Sequence, residues 1–433
     1  MPASGGRDTA TAREQDLRQQ ISDLTRRQAR IGSLDQPLRG PSLDAGVANP
    51  AREALDSAQK AYARLLLEMR ESNPSYARLV TGETATWREV ASRLAPDEVL
   101  LEYLTTDSAT MVFVVTRDTI EAIEIDISRR ALTRQVDFAR ETMSRPVRSL
   151  SGALWRSPMR RLAQLLVAPV EAAGHLRGKR ALIIVPHGDL RFLPFEALLI
   201  ESAPYRFLVE RFSVTYAPSA SLWLRLSDRP KNATSDGVLA FAPRTDALPA
   251  SRSEVKGIGD IYGTRASVLL GTAATERAFR ALAPTKSIVH IATYGVLNKH
   301  NPMFSFVELA PEGRDDGRLE VHELFGLTLS ARLVVLSACQ TALGSGAFAD
   351  VPPGDDWVGL VQGFLYAGAA NVLATLWPVE DGATAVLMGR FYGELASGRS
   401  ESVALAEAQR SALRNPRTSH PFYWAGFVLN GGR

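Results

Sequence analysis

Short aliphatic runs without polar alternation recur along this chain: Arg180 to Pro186, Val238 to Ala242, Ser287 to Thr293, Arg332 to Ala338 and Ala370 to Leu376. Each is too short for a buried helix and rich in Val, Ile and Leu, which reads as a fully buried strand. Helical patterns separate and follow them, at Ser251 to Tyr262, Thr275 to Ala283, Gly359 to Ala367, Asp381 to Ala396 and Ser402 to Leu413. Strands alternating with helices of this length argue for an α/β fold, a mostly parallel sheet covered by helices on both faces.

The segments around this alternation have a different texture. Ala12 to Gln28 and Ala51 to Met69 carry apolar residues at three- and four-residue spacing, which predicts two amphipathic helices after a Gly/Ser-rich start. Their stripes need cover from each other, from the rest of the chain or from a partner. Val99 to Leu104, Met111 to Val115 and Ile120 to Ile127 are strand-like runs separated by short polar turns, which predicts an antiparallel meander. Helices are expected over Arg129 to Ser144 and Ala153 to Ala173, and a closing strand over Phe422 to Leu429. The polar, turn-rich stretch Asp228 to Gly237 is the best internal boundary. Three parts are therefore expected: a helical region 1–80, a first α/β part 81–230 and a second part 231–433.

Charge narrows the function classes. Lys and Arg number 50 against 47 Asp and Glu, giving +3 with no long run of one sign. A nucleic-acid surface needs clustered basic residues, so none is expected. No apolar stretch approaches the ~20 residues of a membrane span, and the first residues lack an apolar signal core. The single cysteine excludes an internal disulfide framework and suits a reducing compartment, so a cytoplasmic location is expected. No P-loop, dinucleotide-binding glycine triad or metal-ligand cluster appears, and neither a cofactor nor a metal is expected.

That cysteine, Cys339, ends the run Arg332-Leu-Val-Val-Leu-Ser-Ala-Cys339 and precedes Gln340-Thr-Ala-Leu-Gly344. A lone cysteine is often a small core residue. Sites in open α/β sheets, however, gather at the carboxyl ends of strands, where a thiol is placed to be a nucleophile. It would need a nearby base or cation to become a thiolate near neutral pH.

The strand Ile288-Val-His-Ile-Ala-Thr-Tyr294-Gly295 resembles the histidine motif of CHAT-domain proteins, relatives of caspases and separases. Further segments resemble the same family: Ile184-Val-Pro-His187-Gly-Asp-Leu-Arg-Phe-Leu-Pro194-Phe-Glu-Ala-Leu, Leu336-Ser-Ala-Cys339-Gln, Gly363 to Trp377-Pro-Val-Glu-Asp381, and His420-Pro-Phe-Tyr-Trp424. They run in order over roughly residues 85 to 430. The resemblance implies a caspase-like fold with a pseudo-protease half and a protease half, and a cysteine endopeptidase acting on a protein or peptide substrate. Such proteins often carry helical sensors, so the N-terminal helices offer a docking face for a regulatory protein.

In that family the dyad is the histidine of a His-Gly pair and the cysteine of Ser-Ala-Cys-Gln. The cysteine carries over to Cys339. The histidine carries over to Tyr294, because Gly295 is the glycine of the pair. Caspase-like spacing is about 50 residues, and here 339 − 294 = 45 and 339 − 290 = 49, so spacing does not choose between Tyr294 and His290. Four residues of strand span about 13 Å, so His290 does not simply fill the place at 294 and reads as a core histidine. A tyrosine phenol titrates near 10, and losing a general base removes a factor of ~10²–10⁴ in rate. The backbone N–H groups of Gly295 and Cys339 would remain as oxyanion donors. The chain is then either a deliberately inactivated enzyme or a natural pseudo-protease.

For substrate binding, Asp381 resembles the separase residue lining a pocket for basic side chains, and Asp355 and Asp356, on the Pro352-Pro-Gly-Asp-Asp-Trp357 loop beyond Cys339, are further candidates. Alternatively Glu380 and Asp381 cap the helix they precede. His187-Gly188, a second His-Gly pair, is explained by a turn after a strand.

Overall fold

A computed structural model of the chain describes residues 84–145, 153–202, 204–228, 236–296, 304–313, 315–338 and 355–432, together with scattered residues between 13 and 65. The chain separates into two compact units, Met1–Glu83 and Thr84–Arg433. In the first, every described residue is helical, and Ile21, Ala58, Tyr62 and Leu65 are buried. Ala58, Tyr62 and Leu65 fall at the spacing of the second expected stripe, and Ile21 is one member of the first; the other residues of both expected helices lie largely outside the described residues.

The second unit opens with helix α1, Trp87–Arg93, closed at its start by a reciprocal Thr86–Glu89 capping box. The meander follows as β1 (Glu98–Thr105), β2 (Thr110–Val115) and β3 (Ile120–Ile125), with both pairings antiparallel. Helix α2 is Arg129–Met143. The long helix expected over Ala153 to Ala173 is two, α3 (Arg156–Leu166) and α4 (Ala168–Ala172). Pro169 sits at the start of α4, where its missing N–H costs nothing but the preceding helix cannot run through. Next come β4 (Ala181–Val185), a two-stranded ribbon β5 (Leu199–Ser202) and β6 (Tyr205–Phe207), β7 (Ser213–Tyr216) and helix α5 (Ala220–Ser227).

After the polar stretch, β8 (Val238–Ala242), α6 (Pro249–Tyr262), β9 (Ala266–Leu270), α7 (Glu276–Leu282) and β10 (Ile288–Thr293) alternate. A small antiparallel sheet then forms from β11 (Gly295–Val296), β12 (Phe306–Glu308) and β13 (Arg318–Glu320), leading into the one-turn α8 (Val321–Leu324). This short helix follows β13 directly, with Glu320 ending the strand and capping the helix. The chain ends with β14 (Leu333–Ala338), α9 (Asp355–Ala367), β15 (Asn371–Thr375), α10 (Asp381–Ala396), α11 (Glu401–Arg414) and β16 (Phe427–Gly431). Phe422 belongs to a 3₁₀ turn over Pro421–Tyr423 and not to the closing strand, because Pro421 fixes the turn's start.

Eleven strands form one sheet in the order β3-β2-β1-β4-β7-β16-β15-β14-β10-β8-β9. The β1-β4-β7 and β15-β14-β10-β8-β9 runs are parallel, and β16 lies antiparallel to β15 and meets β7 at the single pair Asn430–Tyr216. Strands drawn from both 81–230 and 231–433 thus share one sheet.

The unbroken apolar runs are explained by cover on both faces. Along β14, Leu333 and Val335 join a buried cluster with Leu387 and Phe391 of α10, while Val334 and Leu336 join another with Phe279 of α7 and Phe364 of α9. Alternate residues of one strand serve two cores, so neither position tolerates a polar side chain. At 25 cal/mol per Å², each such Leu or Val contributes roughly 1.5–3 kcal/mol.

Candidate functional site

The parallel pairing of β10 with β14 runs from Ile288–Leu333 through Thr293–Ala338. The last pair stands immediately before Tyr294 on one strand and immediately before Cys339 on the other. Cys339 lies outside the described residues.

Tyr294 is half-buried, and its surroundings come from two elements. The first is the segment after β8. Since Phe241 pairs with Ile291, Arg244 lies level with Tyr294, three residues past each partner. Its guanidinium carbon sits 5.8 Å from the centre of the Tyr294 ring, within cation–π range. The second is β12. Glu308 donates its backbone N–H to the Tyr294 carbonyl at 2.9 Å, and its own carbonyl accepts from the Thr293 hydroxyl at 2.7 Å. The Glu308 carboxylate pairs with Arg244, which also lies 3.8 Å from Asp246. Arg244 and Glu308 were not singled out by sequence; they become neighbours of Tyr294 only through strand pairing.

Gly295 is buried and opposite Val307. Because Glu308 and Tyr294 form the hydrogen-bonded rung, Gly295–Val307 is the non-bonded rung, and the Gly295 N–H is not used by β12.

Asp381 is the first residue of α10, but the cap of that helix is Glu380, whose carboxylate accepts from the N–H groups of Gly382 at 3.1 Å and Ala383 at 2.7 Å. Asp381 reaches elsewhere. Helix α6 begins with Leu248 at its cap position, which has no side-chain acceptor, and Asp381 Oδ2 accepts the Ala250 N–H at 2.8 Å. One helix thereby caps another. Partial burial raises the Asp381 carboxyl above its usual range, with nearby Glu254 and Glu380 adding to the rise and the Ala250 amide opposing it. Arg244 and Ala250 lie six residues apart, joined by a turn in which Leu248 N–H donates to the Arg244 carbonyl at 2.7 Å. One short segment therefore touches both Tyr294 and Asp381. Asp355 and Asp356 open α9 and are not in a loop; their side chains lie outside the described residues.

His290 is fully buried, with Nδ1 3.0 Å from the Tyr392 hydroxyl and Nε2 3.0 Å from a Glu254 oxygen. It lies inside the sheet, four residues short of the edge. His187 accepts the Thr105 N–H at 3.1 Å, and its Nδ1 is 2.8 Å from the Thr105 hydroxyl, tying the turn after β4 to β1. Partial burial, with Arg191 and Arg129 nearby, lowers its pKa.

This sheet, covered by helices on both faces, is a mixed α/β fold with a mostly parallel sheet. A CHAT domain family model matches residues 156–432, and the chain belongs to that family. Tetratricopeptide repeat protein 28 of Mus musculus is 30% identical over 346 residues, covering 67% of this chain and 14% of that protein. Its Homo sapiens counterpart is 28% identical over the same shares. The chain thus spans 14% of the length of these curated relatives. Among solved structures, the Saccharomyces cerevisiae separase–securin complex matches with a TM-score of 0.53 at 10% identity, over 89% of this chain and 34% of that one. At such identity the likeness is one of fold. Among the described residues, no helix is long and apolar enough to cross a membrane.

Proposed function

We propose that this chain is built as a CHAT cysteine endopeptidase that hydrolyses a peptide bond in a protein substrate, and that Tyr294 leaves it inactive or impaired. The observation that carries the reading is the β10–β14 register, whose last rung, Thr293–Ala338, directly precedes Tyr294 and Cys339. In the proposed reaction the Cys339 thiolate attacks the scissile carbonyl. The oxyanion takes N–H bonds from Gly295 and Cys339, and the base at 294 protonates the departing amine. Water then hydrolyses the acyl-enzyme. A phenol is a poor acceptor of the thiol proton at neutral pH, whereas the backbone donors do not depend on the side chain at 294. Asp381 keeps one carboxylate oxygen beyond its bond to Ala250 and would receive a basic side chain before the scissile bond, with Asp355 and Asp356 as further candidates.

In this reading residues 81–230 form a pseudo-protease-like half that supports the protease half 231–433, and the helices of 1–80 dock a regulatory protein. The reaction needs no cofactor, and its setting is the cytoplasm. The test is to install histidine at 294 and assay a peptide library, with Cys339→Ala in the same background as the blank. Cleavage that vanishes with Cys339→Ala supports the proposal. An inert Tyr294→His protein that keeps its partners overturns it.

A second reading is a natural pseudo-protease that binds a peptide or regulates a partner. It is favoured by the Arg244 guanidinium over the Tyr294 ring, a contact in which the tyrosine is accommodated. In that case Cys339→Ala changes neither partners nor phenotype.

A further inference from the structure

The buried His290 is not used by the chemistry above, yet it touches both helices whose beginnings meet at Asp381. Its Nε2 faces Glu254 of α6, one turn after Ala250, and its Nδ1 faces Tyr392 of α10, the helix that Asp381 begins. The imidazole thus stands between a carboxyl group on one helix and a phenol on the other, with a hydrogen bond joining Nδ1 and the Tyr392 hydroxyl. The Glu254 contact is at ion-pair distance but bent away from a hydrogen-bond line. The His290 and Tyr392 rings also meet edge-on at 5.5 Å.

A carboxylate whose side chain is 2% exposed is costly unless a polar partner faces it. His290 is the partner that lets Glu254 stay inside. Glu254 lies one turn past Ala250 on the buried face of α6, beside Val255 and Ile258, so its contact with His290 bears on where the Ala250 N–H points. Tyr392 fixes α10 from the same imidazole. The Ala250–Asp381 bond ties the starts of two helices that also meet at the Tyr262–Tyr392 ring contact, and the His290 bridge lies between these two links.

We propose that His290 is a positioning residue for Asp381: through Glu254 and Tyr392 it holds α6 and α10 so that the Asp381 carboxylate is presented for a basic side chain. This rests on the reading of Asp381 as a substrate-binding residue, so the test has one arm that needs no activity. Exchange of the Ala250 amide with deuterium is followed in the full chain by NMR, for Tyr392→Phe and His290→Asn, with Asp381→Ala, which removes the acceptor, as the positive control. The Tyr392→Phe variant removes only a hydroxyl and guards against loss of fold. Expected is a protection loss of about tenfold at Ala250 in all three, with the amides of Val255 and Ile258 in the same helix unchanged. Full protection at Ala250 in folded Tyr392→Phe and His290→Asn overturns the proposal.

The second arm compares peptides carrying arginine or norleucine before the scissile bond, in the Tyr294→His background. Expected is a KM raised about tenfold for the arginine peptide alone, at unchanged kcat. A merely structural role would move both peptides together, and that outcome counts against the proposal. If neither peptide is cleaved, the peptidase reading fails, and the amide exchange alone decides whether His290 positions Asp381.

Discussion

The Tyr216 hydroxyl donates to the carboxyl of Glu196 at 2.6 Å, inside a core where Glu196 is 1% exposed. The same hydroxyl oxygen accepts the Phe195 N–H at 2.7 Å, so this pair anchors the turn that follows β4. The other carboxyl oxygen of Glu196 has no hydrogen-bond partner. Burial pushes this carboxyl up to about 8, against the opposing bond from Tyr216.

The sign of the pH effect follows. Unfolded, Glu196 loses its proton near the usual ~4.3; folded, it holds the proton to about 8. The folded state binds more protons between these values, so stability falls as pH rises through that window and is flat above it. Glu196→Gln keeps the shape and cannot ionise. Its unfolding midpoint should lie close to that of the native chain at pH 5 and above it at pH 8.5, by a gain on the order of a few kcal/mol. Thermal unfolding across that range checks this, and a pH-independent difference would show that Glu196 does not titrate there.

Two glycines separate strain from flexibility. Gly368, just past α9, has φ +121°, and a Cβ there would stand 2.2 Å from the Leu329 carbonyl oxygen. Gly368→Ala should cost about 3 kcal/mol or more, or fail to fold. Gly257 lies inside α6 with nothing within 4 Å of an added Cβ, so Gly257→Ala should gain about 0.5–1 kcal/mol. Urea titrations of both variants decide the matter, and equal effects would contradict it.

The aliphatic strands and their helical partners could be read from the chain because burial on both faces leaves no polar residue to break the pattern. Asp381–Ala396 matches the expected helix to the residue, since Glu380 and the sequence after it carry a plain cap signal. In the small sheet at 295–320 the apolar run Met303 to Leu309 is legible as a strand and contains β12, whereas β11 and β13 are two and three residues long, below the length at which alternation is visible. Tyr294 was reached through its glycine, but Arg244 lies 50 residues earlier and meets it only because β8 and β10 pair in register. The partner of Asp381 was hidden for the same reason. A cap signal is local in sequence, whereas Ala250 is 131 residues from the carboxylate that caps it.

The two neighbouring carboxylates should therefore separate on mutation. Glu380→Ala removes two bonds to the first turn of α10 and should cost about 1 kcal/mol in stability, while leaving affinity for an arginine-containing peptide unchanged. Asp381→Asn should keep most of the stability, because an amide oxygen still accepts from Ala250, and should weaken that peptide about tenfold or more. Calorimetric unfolding and peptide titration on each variant supply the comparison. A peptide affinity that follows Glu380 and ignores Asp381 would reverse the assignment.

Arg244 offers the last test, because its two contacts have different weights. Its pairing with Glu308 is partly solvated, with the arginine side chain 37% exposed, so by itself it is worth at most about 1 kcal/mol. Its contact with the Tyr294 ring adds roughly 0.5–1 kcal/mol at such a site. Arg244→Gln should thus lower stability by no more than about 2 kcal/mol and leave the sheet intact. What should change is local. The ring loses the cation above it, and the Glu308 carboxylate loses the partner that steadies the rung between Glu308 N–H and the Tyr294 carbonyl. The ring proton signals of Tyr294 should shift in NMR spectra, and the Glu308 amide should exchange faster, while amides along β14 stay protected. A variant whose Tyr294 signals are unmoved would mean that the ring is held by β12 alone.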